Sequence, residues 1–197
     1  MYTYYMQQPC FNTLLKNIRA CEFCSAHLNL PPKPVVQLGT QAKILVIAQA
    51  PGIRARSSGL PFDDASGNRL RFWLGIERNV FYDPNKMAFM PMGFCYPGTS
   101  NTGDLPPCEA CAPIWHPQII PRLKNIQLIL LIGSYAHKYY LNTHSLSTTM
   151  HNWQEYLPLM MPLPHPSWHN NNWLNKNPWF ETSLLAYLRK RVKYHLA

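Results

Sequence analysis

The stretch KILVIAQAPGIRARSSGLPFDDASG, residues 43–67, decides how this chain is read. Lys43–Ala48 is an apolar run of strand length with no polar alternation. Such a run suits a strand buried on both faces, the pattern of a parallel sheet covered by helices. Small residues follow: Ala50, Pro51 and Gly52 leave backbone N–H groups open to a ligand. Phe62 lies between a proline and an aspartate. It is either an anchor for the loop or an aromatic platform for a flat ligand. The adjacent carboxylates Asp63 and Asp64 precede Ser66, the expected N-cap of a helix running through Trp73 and closed by Gly75. Those carboxylates either offset the helix dipole or orient a water molecule.

Working outward, the periodicity predicts an opening helix over 10–19 and a break at LPPKP, residues 30–34. MAFMPMGF (87–94) reads as a second strand, with Pro91 marking an edge or a bulge. TSNTGDLPPCEACAP (99–113) reads as a loop and 113–123 as a short helix. IQLILLIG (126–133) is the strongest strand, followed by a helix over 134–140. YLPLMMPLP (156–164) is a weaker last strand, HPSWHNNNWLNKNP (165–178) a polar loop, and 178–191 a final helix. Strands alternating with helices predict an α/β fold: one three-layer α/β/α domain over residues 1–197 with a central, mostly parallel four-stranded sheet. Ligands of such sheets sit beyond the carboxyl ends of the strands, where the 48–67 loop and the loop starting at His165 both belong. Pro164 and Pro166 restrain the backbone around His165, which makes its ring a candidate to face a ligand.

Lys and Arg number 18 against 9 Asp and Glu, a net charge of +9. Together with 13% aromatic residues, that surplus points to nucleic acid more than to a membrane surface. The longest apolar runs are too short to cross a bilayer, and MYTYYMQQPCF lacks the features of a signal peptide, so a cytoplasmic location is expected.

There are six cysteines, and Cys21/Cys24 and Cys108/Cys111 form two C-x-x-C pairs. Four thiolates can hold zinc or an iron–sulfur cluster. Paired C-x-x-C motifs of zinc ribbons lie much closer in sequence than these two. A second quartet is Cys21, Cys24, Cys95 and Cys111, the last sixteen positions after Cys95. Some of the six can also be ordinary buried cysteines.

Taken in order, Ala48-Gln-Ala-Pro-Gly52, Gly59-Leu-Pro-Phe62, Ala65-Ser-Gly67 and His165-Pro-Ser167 make the chain resemble the uracil-DNA glycosylase superfamily. Cys21, Cys24, Cys95 and Cys111 match the order and spacing of its iron–sulfur branches, leaving Cys108 as a bystander. The resemblance covers roughly residues 20–190. It implies an enzyme of base excision repair that acts as a monomer on DNA. Such an enzyme removes uracil or another deaminated base by hydrolysing its N-glycosidic bond. In that reading the nucleobase is turned out of the duplex. Phe62 stacks on it, with Gln49, Ala50 and Ser167 beside it. Asp64, favoured over Asp63, orients water or steadies the cationic sugar, and His165 stabilises the departing base. A structural [4Fe–4S] cluster sits on Cys21, Cys24, Cys95 and Cys111. The chain departs from the family pattern at three positions. Gln49 stands for the Glu of G-E-A-P-G, Ala50 for an Asp or Asn, and Pro91 for an Asn that reads the base edge. These departures keep two alternatives in view: a nucleic-acid-binding member of the fold that does not cleave, and a zinc-stabilised module using Cys21, Cys24, Cys108 and Cys111.

Overall fold

The computed structural model describes residues 10–101 and 103–197; the N-terminal stretch read above for a leader lies outside them, Cys10 and Phe11 excepted. The elements in chain order are α1 (Phe11–Arg19), β1 (Ile44–Ile47), α2 (Ile53–Ser58), α3 (Ala65–Leu74), α4 (Arg78–Phe81), β2 (Met87–Phe89), β3 (Thr99–Ser100) and β4 (Gly103–Asp104). Then come α5 (Cys111–Ile119), β5 (Leu128–Ile132), α6 (Ser134–Leu141), α7 (Leu146–His151), β6 (Met160–Leu163), α8 (Asn171–Lys176) and α9 (Ala186–Leu196). Short 3₁₀ turns and a π-helical turn, Phe180–Leu185, join them.

The four-stranded sheet has the order β2-β1-β5-β6 and is parallel throughout. Alternate residues of β1 divide between two cores. Ile44 and Val46 pack with Trp73 of α3, Leu184 and Leu188. Leu45 and Ile47 pack with Leu14 and Ile18 of α1 and Ile119 of α5. Both faces of the strand are therefore covered, which is why it carries no polar alternation. Each fully buried Leu or Ile contributes about 1.5–3 kcal/mol relative to exposure, so these runs specify the sheet strongly. The outer edge of β2 is shielded by the chain at Val35–Gln37. Gln37 exchanges backbone hydrogen bonds with Phe89, and the Val35 N–H donates to the Phe94 carbonyl.

From β1 the chain goes to β2 on one side and then crosses to β5 on the other. The switch point thus lies at the carboxyl end of β1. Several boundaries differ from the sequence reading. β2 stops at Phe89, before Pro91, which cannot extend a strand ladder. α5 begins at Cys111 rather than residue 113. α2 and α8 occupy stretches expected to be loop. The N-cap of α3 is Asp64, not Ser66: its Oδ1 accepts a 2.8 Å hydrogen bond from the Gly67 N–H.

Candidate active site

A cleft of about 900 Å³ opens at the carboxyl ends of all four parallel strands. Ala48–Gly52 come from the end of β1, Pro91 from beyond β2, Gly133 and Ser134 from the end of β5, and His165 and Ser167 from beyond β6. Gln49, Ala50, Phe62, Asp64, His165 and Ser167 all line this one cleft, so the six residues singled out in the sequence are brought together.

Phe62 is held in an unusual way. Its φ is +56°, a left-handed conformation that a bulky side chain rarely adopts. The Tyr82 hydroxyl donates to its carbonyl at 3.2 Å. A Cβ on Gly67 would stand 1.7 Å from that same carbonyl oxygen, so the position admits only glycine. Its ring centroid lies 6.4 Å from that of Phe81, 6.0 Å from that of Phe89 and 6.3 Å from that of His165, whose plane is inclined to it by only 27°. Phe62 is thus both an anchor and a wall of the cleft.

The two adjacent carboxylates part ways. Asp63 forms a 3.0 Å ion pair with Arg78, whose guanidinium holds the Asp63 carboxyl below the usual carboxylate range. Asp64 caps α3 with one oxygen. Its other oxygen lies 3.7 Å from the point where a Cβ of Gly52 would stand, inside the cleft. Capping and a role in the cleft are therefore compatible in one side chain.

His165 sits deep enough that burial pushes its pKa down to about 4, although the negative charge of Asp64 opposes the shift. The imidazole is neutral near pH 7. Its backbone carbonyl accepts from Asn170 Nδ2 at 2.7 Å, and Arg69 Nη1 donates to the Ser167 carbonyl at 3.2 Å. These bonds fix the loop and leave the ring turned towards Phe62. Gly133 takes φ +83° in the turn after β5, a left-handed conformation that favours glycine, and a Cβ there would meet the His165 Cβ at an ordinary contact distance of 3.5 Å.

Three further cleft residues lie outside the sequence reading: Asn101, Asp104 and His169. The first two belong to the small antiparallel hairpin β3–β4. Gln49 holds that hairpin in place, because its Nε2 donates to the Leu105 carbonyl at 3.3 Å. Asp104 lies at the rim, its Oδ2 3.8 Å from the same Gly52 Cβ point. Desolvation and the nearby Asp64 charge raise its pKa. A lone acid in an otherwise uncharged loop between Cys95 and Cys108 was the one clue available. Pro91 brings only a ring and a carbonyl to its wall, and that carbonyl is engaged by buried His116 at 3.0 Å.

The cysteines gather away from the cleft. Cys21, Cys24, Cys95, Cys108 and Cys111 all line one small cavity beside Phe94. Cys108, read above as a bystander, is part of this nest: its Sγ lies 2.7 Å from that of Cys24. The Phe94 N–H donates to Cys111 Sγ at 3.3 Å. Burial, reinforced by the neighbouring sulfurs, pushes the Cys111 thiol up to about 12. Among the described residues, no three Cys, His, Asp or Glu side chains are arranged to hold a single metal ion. The donor set does suit a cluster. Sulfur donors alone, burial of Cys24 and Cys111, and an amide N–H on one sulfur are features that tune iron–sulfur sites.

No helix among the described residues is long and apolar enough to cross a membrane. A comparison with protein-family models matches the uracil DNA glycosylase superfamily over residues 36–189. The matched span runs from the segment that shields β2 to the middle of α9 and contains every cleft residue named above. A switch-point cleft, a small-residue loop after β1 and a restrained histidine after β6 therefore have a common explanation, and the chain belongs to the uracil DNA glycosylase superfamily.

Proposed function

We propose that the chain is a DNA glycosylase that removes uracil or another deaminated base from DNA by hydrolysing the N-glycosidic bond. The observation that carries this reading is the convergence of Phe62, Asp64 and His165 on one cleft of a chain in this family. An extruded base enters against the Phe62 ring, and the unpairing costs a few kcal/mol. As the bond from the sugar to the base nitrogen breaks, positive charge grows on the sugar and negative charge on the base. The free oxygen of Asp64 steadies the sugar and takes a proton from the attacking water. Neutral His165 donates a hydrogen bond to the departing base, which ends protonated by solvent. The net surplus of nine positive charges grips phosphates without reading sequence.

In the same reading Cys21, Cys24, Cys95 and Cys111 hold a [4Fe–4S] cluster. Its role is structural: it ties the segment after α1 to the loop that bears the β3–β4 hairpin and hence to one wall of the cleft. Zinc is the alternative occupant of the nest.

A second reading is favoured by a specific observation. Pro91 brings no side-chain amide to the base edge, and the Gln49 amide gives one of its N–H groups to the Leu105 carbonyl. A member of the family that binds DNA without cleaving it fits these facts. Incubation with oligonucleotides carrying uracil, hypoxanthine or xanthine, with free base as the readout, separates the two.

A further inference from the structure

Asp64 is not the only carboxylate that faces Gly52. Its Oδ2 lies 3.7 Å from the point where a Cβ of Gly52 would stand, and the Oδ2 of Asp104 lies 3.8 Å from the same point. The two reach it from different segments, the N-cap of α3 and strand β4. Both are held in place. Asp64 is fixed by the bond from the Gly67 N–H. Asp104 pairs with Thr99 in the β3–β4 hairpin, and the next residue, Leu105, is tied twice. Its N–H donates to the Gly98 carbonyl at 2.9 Å, and its carbonyl accepts from Gln49. Partial burial, and then the Asp64 charge, raise the Asp104 pKa, while His169 opposes them. Two like charges at the mouth of a cleft that receives DNA repel each other and the phosphates. Asp64 has a helix to cap. Asp104, exposed in the free chain, forms no ion pair among the described residues.

We propose that Asp104 and Asp64 together hold the attacking water over Gly52, one O–H directed to each carboxylate, and that Asp104 sets its orientation. This role rests on the glycosylase reading and deepens it. Glycine at position 52 leaves the point between the two carboxylates open to a water molecule. As the water oxygen bonds to C1′ of the sugar, the bond from C1′ to the base nitrogen breaks and its electron pair leaves with the base. One water proton passes to Asp64 and from there to solvent. The other stays on the new sugar hydroxyl, and Asp104 accepts the hydrogen bond from this retained O–H. A water held at both hydrogens presents its lone pairs to the sugar, so the barrier carries less orientational entropy. The β3–β4 hairpin then serves to carry a second acceptor to the cleft.

The test reads rate, affinity and choice of nucleophile in the full chain, with whichever oligonucleotide carrying uracil, hypoxanthine or xanthine the wild type cleaves. Asp104→Ala should slow single-turnover base release by about tenfold or more, the worth of one hydrogen bond to a charged group. Its affinity for an undamaged duplex should be equal or higher, because a charge that repels phosphates is gone. Methanol has a single O–H, so in the wild type it can serve Asp64 only by turning its methyl group against Asp104. In water–methanol mixtures the wild type should therefore form methyl glycoside well below the share set by concentration. Asp104→Ala should raise that share by about threefold or more. Full rate in Asp104→Ala overturns the proposal and leaves the glycosylase reading standing. A slowed variant that binds duplex more weakly at an unchanged methanol share does the same, since a hairpin that has merely lost its shape behaves that way. A wild type that takes methanol at or above its share by concentration also overturns the proposal, and that result needs no variant to fold. Release of no base from any of the three overturns both readings.

Discussion

The rings of Phe62 and His165 face each other with centroids 6.3 Å apart and planes inclined by 27°. The two residues come from the loop after β1 and the loop after β6, and the strand order of the sheet is what brings them together. A flat base against the Phe62 ring lies within reach of the imidazole. Phe62→Leu keeps bulk against Phe81 and Phe89 but removes the aromatic face. It should weaken capture of an extruded base by about 1–3 kcal/mol, the worth of base–aromatic stacking. Affinity for an oligonucleotide with a mispaired uracil, compared with a matched duplex, reads this directly. Equal losses on both DNAs would mean that Phe62 only packs.

Asp64 caps α3, and the proposed function gives it a second job that one substitution separates from the first. Asn caps a helix as well as Asp does, so Asp64→Asn should leave the Gly67 hydrogen bond and the stability of α3 nearly unchanged. It removes the charge facing Gly52, and base release should slow by about 10²-fold or more, some 2.7 kcal/mol of barrier. Single-turnover rates normalised to folded protein decide the matter. Retention of the full rate would confine Asp64 to the cap.

These roles show what the sequence made legible. The runs over Ile44–Ile47 and Leu128–Ile132 are apolar because both faces are buried, and they declare the parallel sheet at once. The loop glycines and the prolines flanking His165 mark the cleft, since tight backbone leaves a compositional trace. The cap of α3 lies two residues before the expected Ser66, because Asp and Ser are equally good caps and only the fold of the loop chooses between them. The β3–β4 hairpin is two residues a side and polar, so it has no periodicity. Its place over the cleft depends on a long-range bond from Gln49. Cys108 was set aside on spacing, and only tertiary structure shows that its sulfur meets Cys24.

Histidine burial sets a pH dependence of stability. His165 and His116 both have pKa values pushed down to about 4, chiefly by burial. Between about 4 and 6.5, the ordinary histidine value, the unfolded chain binds protons that the folded chain does not. Stability should therefore be full above about 6.5 and fall as the pH drops towards 4. Denaturant midpoints for the wild type and His165→Asn over this range check it: the variant should lose part of the slope. The rate of base release should likewise show no drop centred near 6.5, because His165 is already neutral there. An acid limb at 6.5 that vanishes in His165→Asn would contradict the neutral-imidazole role.

The charge surplus predicts salt-sensitive binding. If four to six phosphates are contacted, log K should fall against log[salt] with a slope of roughly −4 to −5 on duplex DNA. Titrations between low and moderate ionic strength measure it. Binding indifferent to salt would argue against a grip on phosphates.

The central claim is that this cleft breaks a glycosidic bond. Its most direct test is release of free base from a panel of oligonucleotides carrying uracil, hypoxanthine or xanthine, single-stranded and duplex. The wild type should release at least one of them and leave an alkali-labile abasic site, and both Asp64→Asn and His165→Ala should slow that release while still binding DNA. A folded, metal-loaded wild type that binds these oligonucleotides yet releases no base from any of them would contradict the account and leave the chain a DNA-binding member of its family.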